Sequence, residues 1–477
     1  MAVDLTPKTY TAQIEGDGFM RTRPPLDTTG PTLSGGITFS SVAVGTFTAA
    51  WNPATDAQSG VALYGFEYGL NGSFSNVVTG TAPLFPIGNL APGVYSCRYR
   101  AQDTAGNWSG YSSTFTVLVP APASSTRKWN PGFYMGLLRG SCSFTNTTTR
   151  NTRWGYYDAI ASNPKIKGIL YYANWGQLEG STPGDYSPGI NGIAAELAKC
   201  QAIGKQFWLR IEAQTYGSPP AGPPAAPPSN YPPWTVQGVD WQSASFGSIG
   251  RYWSATFVDK WIALIKALGA AFDGHPNFEA ISINQETATS GTIQNESPSL
   301  SSMQTQYAQR LCPAAAAAFP RTNVFFNVNW FGTSSSCSAL MAAIHANAPT
   351  VGFGGPDIYP SIDAVPSRSG SLVGAPTAHS LLAPYQGVVP IGYMGESSEI
   401  GSGAIGGSGW TAAQIISTGL NTLKNTHFPI SRMNYNAPTA DPNTQYWDPN
   451  GNGTPSTCIL AQMNTTAFAN TAIPSSY

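Results

Sequence analysis

The chain has 477 residues, and its 23 Lys and Arg against 24 Asp and Glu leave a formal net charge of −1. That near-neutrality excludes a polyanion binder built on bulk positive charge, because neutralising phosphates needs an excess of Lys and Arg. Charged residues supply only 10% of the chain, against about 25% in ordinary soluble domains, while hydrophobics hold at 42%; the deficit is filled by uncharged polar residues, Gly and Pro, and disorder is not implied. The most apolar stretch, Trp261 to Phe272, is interrupted by Lys266 and falls short of the roughly 18 residues of a membrane span. The N-terminus carries Asp4 and Glu15 and no apolar core, so no secretory signal is visible.

The first 26 residues read as an arm that ends in the extended Arg23-Pro24-Pro25. Residues 27–119 alternate short Thr-, Val-, Tyr- and Phe-rich runs (GTFTAAW, LYGFEYG, STFTVLV) with turn signals about every ten residues, the pattern of a β-sandwich. Ala50-Trp51-Asn52-Pro53-Ala54-Thr55-Asp56, Leu90-Ala91-Pro92-Gly93-Val94-Tyr95 and Ala101-Gln102-Asp103-Thr104-Ala105-Gly106-Asn107-Trp108-Ser109 occur in that order, and with them the segment resembles a fibronectin type III domain. The resemblance makes Trp51 the Trp between the sheets and Tyr95 the corner tyrosine.

Residues 120–128, rich in Pro, Ala and Ser, form a linker. From 129 to 477 strand and helix patterns alternate. Strands are expected at 132–139, 166–175, 206–213, 278–286, 323–330, 350–359, 388–396 and 428–435, and helices at 190–203, 255–272, 304–319 and 411–426. Eight strands alternating with helices, with no Gly-rich phosphate loop after the first, indicate a TIM-type (β/α)8 barrel rather than a doubly wound sheet. The Pro-rich segment 218–238 follows the third strand and should lie over the C-terminal face, either as a substrate wall carrying Tyr231, Trp234 and, just after it, Trp241, or as a surface-hugging insertion.

The six cysteines and four histidines are scattered without metal-ligand spacing, so buried thiols, no metal and no cofactor are expected, and carboxylates must carry any acid–base chemistry. Alternation turns Ile281 and Ile283 of the fourth strand outward and Ser282, Asn284 and Glu286 inward; in the seventh it turns Gly392, Met394 and Glu396 inward. Glu286 and Glu396 then face each other across the barrel mouth. Two such carboxylates are what glycosidic cleavage requires, one to protonate the leaving oxygen and one to attack or to activate water.

With Tyr172-Ala173-Asn174-Trp175-Gly176-Gln177-Leu178-Glu179 leading to Pro183-Gly184-Asp185-Tyr186, and Lys205-Gln206-Phe207-Trp208-Leu209-Arg210-Ile211 after it, residues 129–437 resemble the clan-A retaining glycoside hydrolases. The resemblance implies Glu286 as acid/base and Glu396 as nucleophile. It departs at Gln285, where such enzymes carry an Asn; here Asn284 stands one place earlier. Tyr359 would orient Glu396 and Asp357 bind a sugar hydroxyl or cap a turn. Arg210 and Glu212, inward-phased, form either an ion pair or a device that sets the charge of a catalytic carboxylate. Glu179 and Glu399 are the alternative carboxylates. Trp175, Trp330 and Trp447 offer aromatic platforms for sugar rings, and Asn327 and Asn329 offer amides for hydroxyls or are buried polar fillers. The expectation is a retaining glycosidase acting on a neutral or weakly charged polysaccharide, extracellular or carried on a bacteriophage tail through the N-terminal arm, with a catalytically silent glycan-binding tail protein as the alternative.

Overall fold

A computed structural model describes residues 11–14, 20–23, 26–43, 45–70, 72–91, 93–119, 127–137, 142–144, 146, 154–155, 157–158, 160–215, 226–245, 247–284, 287, 293–328, 334–355, 358, 381–396, 411–431 and 459–477. The chain divides into two compact units, Met1–Val119 and Pro120–Tyr477. The N-terminal arm is not simply extended: β1 (Thr11–Ile14) and β2 (Met20–Arg23) pair antiparallel as a hairpin.

The first unit is a sandwich of two antiparallel sheets. One holds β3 (Thr38–Ala43), β4 (Thr46–Ala50) and β7 (Leu84–Ile87); the other runs in the order β6 (Asn76–Gly80), β5 (Val61–Leu70), β8 (Gly93–Asp103) and β9 (Phe115–Val119). Period-two alternation puts Phe47 and Ala49, Tyr64 and Phe66, and Cys97, Tyr99 and Ala101 on the facing sides. Trp51 lies between them, stacked on Tyr99 with centroids 4.4 Å apart and on Phe85 at 5.5 Å. Burial pushes the Cys97 thiol up to about 12, so it is an inert core group.

The second unit is a parallel eight-stranded barrel. Its strands are β10 (Gly132–Gly136), β11 (Ile166–Asn174), β12 (Gln206–Glu212), β16 (Phe278–Ser282), β17 (Asn323–Asn327) and β18 (Gly352–Gly355), then the seventh strand, split into β19 (Ile391–Tyr393) and β20 (Gly395–Glu396), and finally β21 (His427–Ser431). Between β12 and β16, a small antiparallel sheet of β13 (Gln214–Thr215), β14 (Trp241–Ala244) and β15 (Gly247–Gly250) occupies the loop at the C-terminal end of the third strand. The strands are shorter than the apolar runs suggest because the chain leaves the ladder while it is still buried. The helix Ala255–Phe272 occupies the predicted positions; Ser187–Ala202 starts three residues earlier than expected, at a Pro in its first turn, and the helix Ser334–Asn347 was not anticipated.

The barrel closes with the stagger the fold requires. Glu396 pairs with Ser431, Ser431 with Gly136, Gly136 with Leu170, Leu170 with Trp208, Trp208 with Ala280 and Ala280 with Asn323. Continuing through β18, the path returns to the seventh strand at the level of Val388, eight positions before Glu396, matching the shear of 8 of this architecture. The seam between strands seven and eight is stitched below β20 by Asn425, whose side chain accepts from the Tyr393 amide (3.1 Å) and donates to its carbonyl (2.8 Å).

Candidate active site

The N-terminal end of the barrel is plugged. Glu279 accepts from the amide and side chain of Asn130 (2.9 and 2.7 Å) and from Asn323 (2.8 Å), and it pairs with His427 at 2.9 Å, all in the core. Above this lies Trp208, stacked on Phe325 at 4.6 Å and donating its indole N–H to Ser282 at 3.0 Å. Gly392 is required opposite, since a Cβ there would stand 2.6 Å from the Trp208 ring. Access to the interior is left to the C-terminal end.

Inward phase continues up the third strand from Trp208 to Arg210 and Glu212. Arg210 is fully buried; its Nη1 donates to the Tyr172 hydroxyl at 3.0 Å, and that hydroxyl reaches Met394 Sδ across the barrel at 3.4 Å. The Arg210 Nε and Nη2 have no hydrogen-bond partner among the described residues. The expected Arg210–Glu212 ion pair does not form: residues two apart on one strand stand side by side, and the guanidinium runs sideways over the Tyr172 ring (5.2 Å) instead of upward. The eight-residue stagger places Glu212 at the height of Glu396, and Arg210, Tyr172 and Met394 in the layer directly beneath. Tyr172 and Met394 were not singled out from the sequence, although strand alternation already turned Met394 inward.

Glu396 is described through its backbone, at the C-terminal end of the seventh strand. Gln285, Glu286, Asn329, Trp330, Asp357, Tyr359, Glu399 and Trp447 lie outside the described residues. The chain on both sides of Glu286 is nevertheless fixed. Asn284 donates to the Asn327 carbonyl (3.0 Å) and accepts from its amide (2.8 Å), while Asn327 Nδ2 donates to the Asn284 carbonyl at 2.8 Å. Thr287 donates to the same Asn327 carbonyl at 2.8 Å, and Tyr307 holds the Thr287 carbonyl at 2.8 Å. Asn284 is therefore not a sugar ligand. The strand 4–5 ladder ends at Ser282 and Phe325, and the Asn side chains extend it beyond the last backbone pair, buried at both positions.

Trp175 is a second correction. It is fully buried among Trp234, Phe257 and Trp261, with centroids 5.4–5.7 Å away, and donates to Glu179 at 2.6 Å, so no face is left for a ring. Asn174 caps the short helix that Trp175 opens, accepting from the Gln177 amide at 3.0 Å. Glu179, considered as an alternative catalytic carboxylate, instead closes the following loop by accepting from the Gly184 amide at 2.6 Å; burial raises its pKa. Trp234 is half-buried, edge-on to Trp175, with Lys260 Nζ 4.9 Å above its ring and its N–H on the Gly180 carbonyl at 3.2 Å; Tyr231 and Trp241 form no substrate wall, because both are buried against each other (5.6 Å), with the Tyr231 hydroxyl on the Ala213 carbonyl at 3.0 Å. The five described cysteines are buried, and no helix among the described residues is long and apolar enough to cross a membrane.

No family model matches the chain. It is 34% identical over 170 residues to endoglucanase B of Cellulomonas fimi, covering 33% of this chain and 16% of that protein. Against chitinase A1 of Niallia circulans it is 38% identical over 108 residues, 22% of this chain and 15% of the relative, so it spans about a sixth of the length of either. Among solved structures, the exo-β-1,4-mannosidase Op5Man5 from Opitutaceae bacterium strain TAV5 aligns at 12% identity over 65% of this chain and 54% of that one, with a TM-score of 0.38. The sixth fibronectin type III domain of human fibronectin type III domain containing protein 3 aligns at 20% identity over 21% of this chain and 95% of that domain, with a TM-score of 0.19.

Proposed function

We propose that the barrel is a glycoside hydrolase in which Glu396 attacks the anomeric carbon while Glu286 protonates the departing glycosidic oxygen. Water, deprotonated by Glu286, then releases the sugar from Glu396, so the anomeric configuration is retained. The observation that carries this reading is the eight-residue stagger. It brings Glu396 to the open end of the barrel at the level of Glu212, above a floor whose central group, Arg210, is a buried cation. A positive charge in a low-dielectric layer beneath a nucleophile favours its ionised form. The pinned flanks of Glu286 supply the positioning that proton transfer needs.

The relatives' names direct the substrate panel to β-1,4-glucan and chitin, with β-mannan beside them. Reducing-end release should fall at least about a thousandfold in Glu286→Gln and in Glu396→Gln, and proton NMR of the first product should show the substrate's anomeric configuration. Inverted product would replace the nucleophile role of Glu396 by that of a base. Full activity in both variants would remove both residues from the mechanism, and glycan binding without turnover would favour a silent binding protein. Carriage on a bacteriophage tail rests on module order alone; antibodies against the sandwich should then decorate phage particles.

A further inference from the structure

Three carboxylates converge at one end of the sandwich, far apart in sequence and outside anything the barrel's chemistry uses. Asp27 lies before β3, Asp56 in the loop that follows Trp51, and Asp103 at the end of β8. One oxygen from each lies within 4.8 Å of the others, with the Asp27 and Asp103 carboxylates buried and that of Asp56 half-buried. Asp56 Oδ1 accepts from the amides of Gln58, Ser59 and Gly60 at 2.8–3.0 Å. Asp103 takes the amide and the side chain of Asn107 at 2.7 and 2.8 Å, and Asp27 Oδ1 takes Thr29 at 3.0 Å. A separate observation concerns Asp27 Oδ2: it is shut off from solvent and makes no hydrogen bond among the described residues, although the Ser59 hydroxyl, turned to Asp56 Oδ1 at 3.4 Å, stands near enough to help hold the Asp27 carboxyl below the usual range. An anionic oxygen in that state is expensive unless something positive reaches it.

We propose that Asp27, Asp56 and Asp103 bind one hard divalent cation, with calcium the ion the donors suit. All three donors are carboxylate oxygens, with no nitrogen or sulfur to select a softer metal, and their mutual spacing is what oxygens at about 2.3–2.6 Å around a single calcium ion span. The ion would satisfy Asp27 Oδ2 and cancel the mutual repulsion of the three carboxylates. It would also tie the entry segment of the sandwich to the end of β8, closing loops of the fold that no disulfide closes among the described residues.

The test uses the full chain dialysed against EDTA. Isothermal titration with calcium chloride should show a saturable site that is lost in Asp27→Asn, a variant that keeps the Thr29 contact and the side-chain shape. Thermal unfolding followed by hydrogen exchange of the β5 and β8 amides gives an independent readout with crossing signs. In EDTA, Asp27→Asn should raise the protection midpoint, because one of three repelling charges is gone. With calcium at a hundredfold excess over Kd, the wild-type midpoint should climb by about 10 °C or more and pass the variant's. The proposal is overturned if calcium leaves the wild-type midpoint unmoved, or if the calcium stoichiometry is the same in wild type and Asp27→Asn. If Asp27→Asn does not fold, Asp56→Asn, at the half-exposed corner, carries the same comparison.

Discussion

Replacing Arg210 by Met should move stability and catalysis in opposite directions. The guanidinium is fully buried, makes one hydrogen bond, and leaves two nitrogens without partners among the described residues. Removing it sacrifices a charge-assisted bond of about 1.5–3 kcal/mol but also removes two unsatisfied buried donors costing about 1–3 kcal/mol each. Met fills a similar volume without a charge, so at a pH low enough to protonate Glu396, where its attraction to Arg210 no longer counts, the barrel should gain about 2 kcal/mol, seen by calorimetry as a rise of a few degrees in its transition. In catalysis the same change is a loss. A buried positive charge in the layer beneath a carboxylate favours its ionised form, so the acid limb of the kcat/KM profile should shift upward in Arg210→Met and much less in Arg210→Lys, which keeps the charge. A variant that is destabilised by 2 kcal/mol or more, with its acid limb unmoved, would refute the reasoning and make Arg210 a plain structural residue.

Thr287→Val should lower kcat about tenfold or more with little change in KM, because it frees the chain beside Glu286, and Thr287→Ser should restore it. Asn284→Ala removes the side-chain bonds that Asn284 makes to the Asn327 amide and carbonyl and should cost about 2–4 kcal/mol in denaturant unfolding. Burial pushes His275 down to about 4 from 6.5, so below pH 6.5 the unfolded chain binds a proton that the folded chain refuses. Stability should therefore fall progressively from pH 6.5 to 4 by up to about 3 kcal/mol, a slope that His275→Asn should remove from urea titrations.

Where the sequence was readable, one period dominated. In the sandwich, alternation along β4, β7 and the second half of β8 separates core from surface residue by residue, and the barrel count of eight follows from apolar runs that recur between amphipathic helices. The same alternation correctly turned Ser282, Arg210, Gly392 and Met394 inward, as their contacts with Trp208 and Tyr172 show. It does not report what a residue does where the ladder ends. Trp175 follows the second strand directly, and its position suggested a platform at the mouth; a short helix capped by Asn174 starts there instead, and the indole packs against Phe257 and Trp261. Asn284 sat in the correct inward phase, yet the need to pair the Asn327 backbone once the ladder stops outweighs any ligand. The Asp27–Asp56–Asp103 group was invisible for a different reason: its members are separated by tens of residues and meet only because two sheets bring three loops to the same end. Periodicity reports which side of an element a residue faces. Sites made by the ends of elements depend on register and stagger, which are properties of the closed sheet rather than of any single strand.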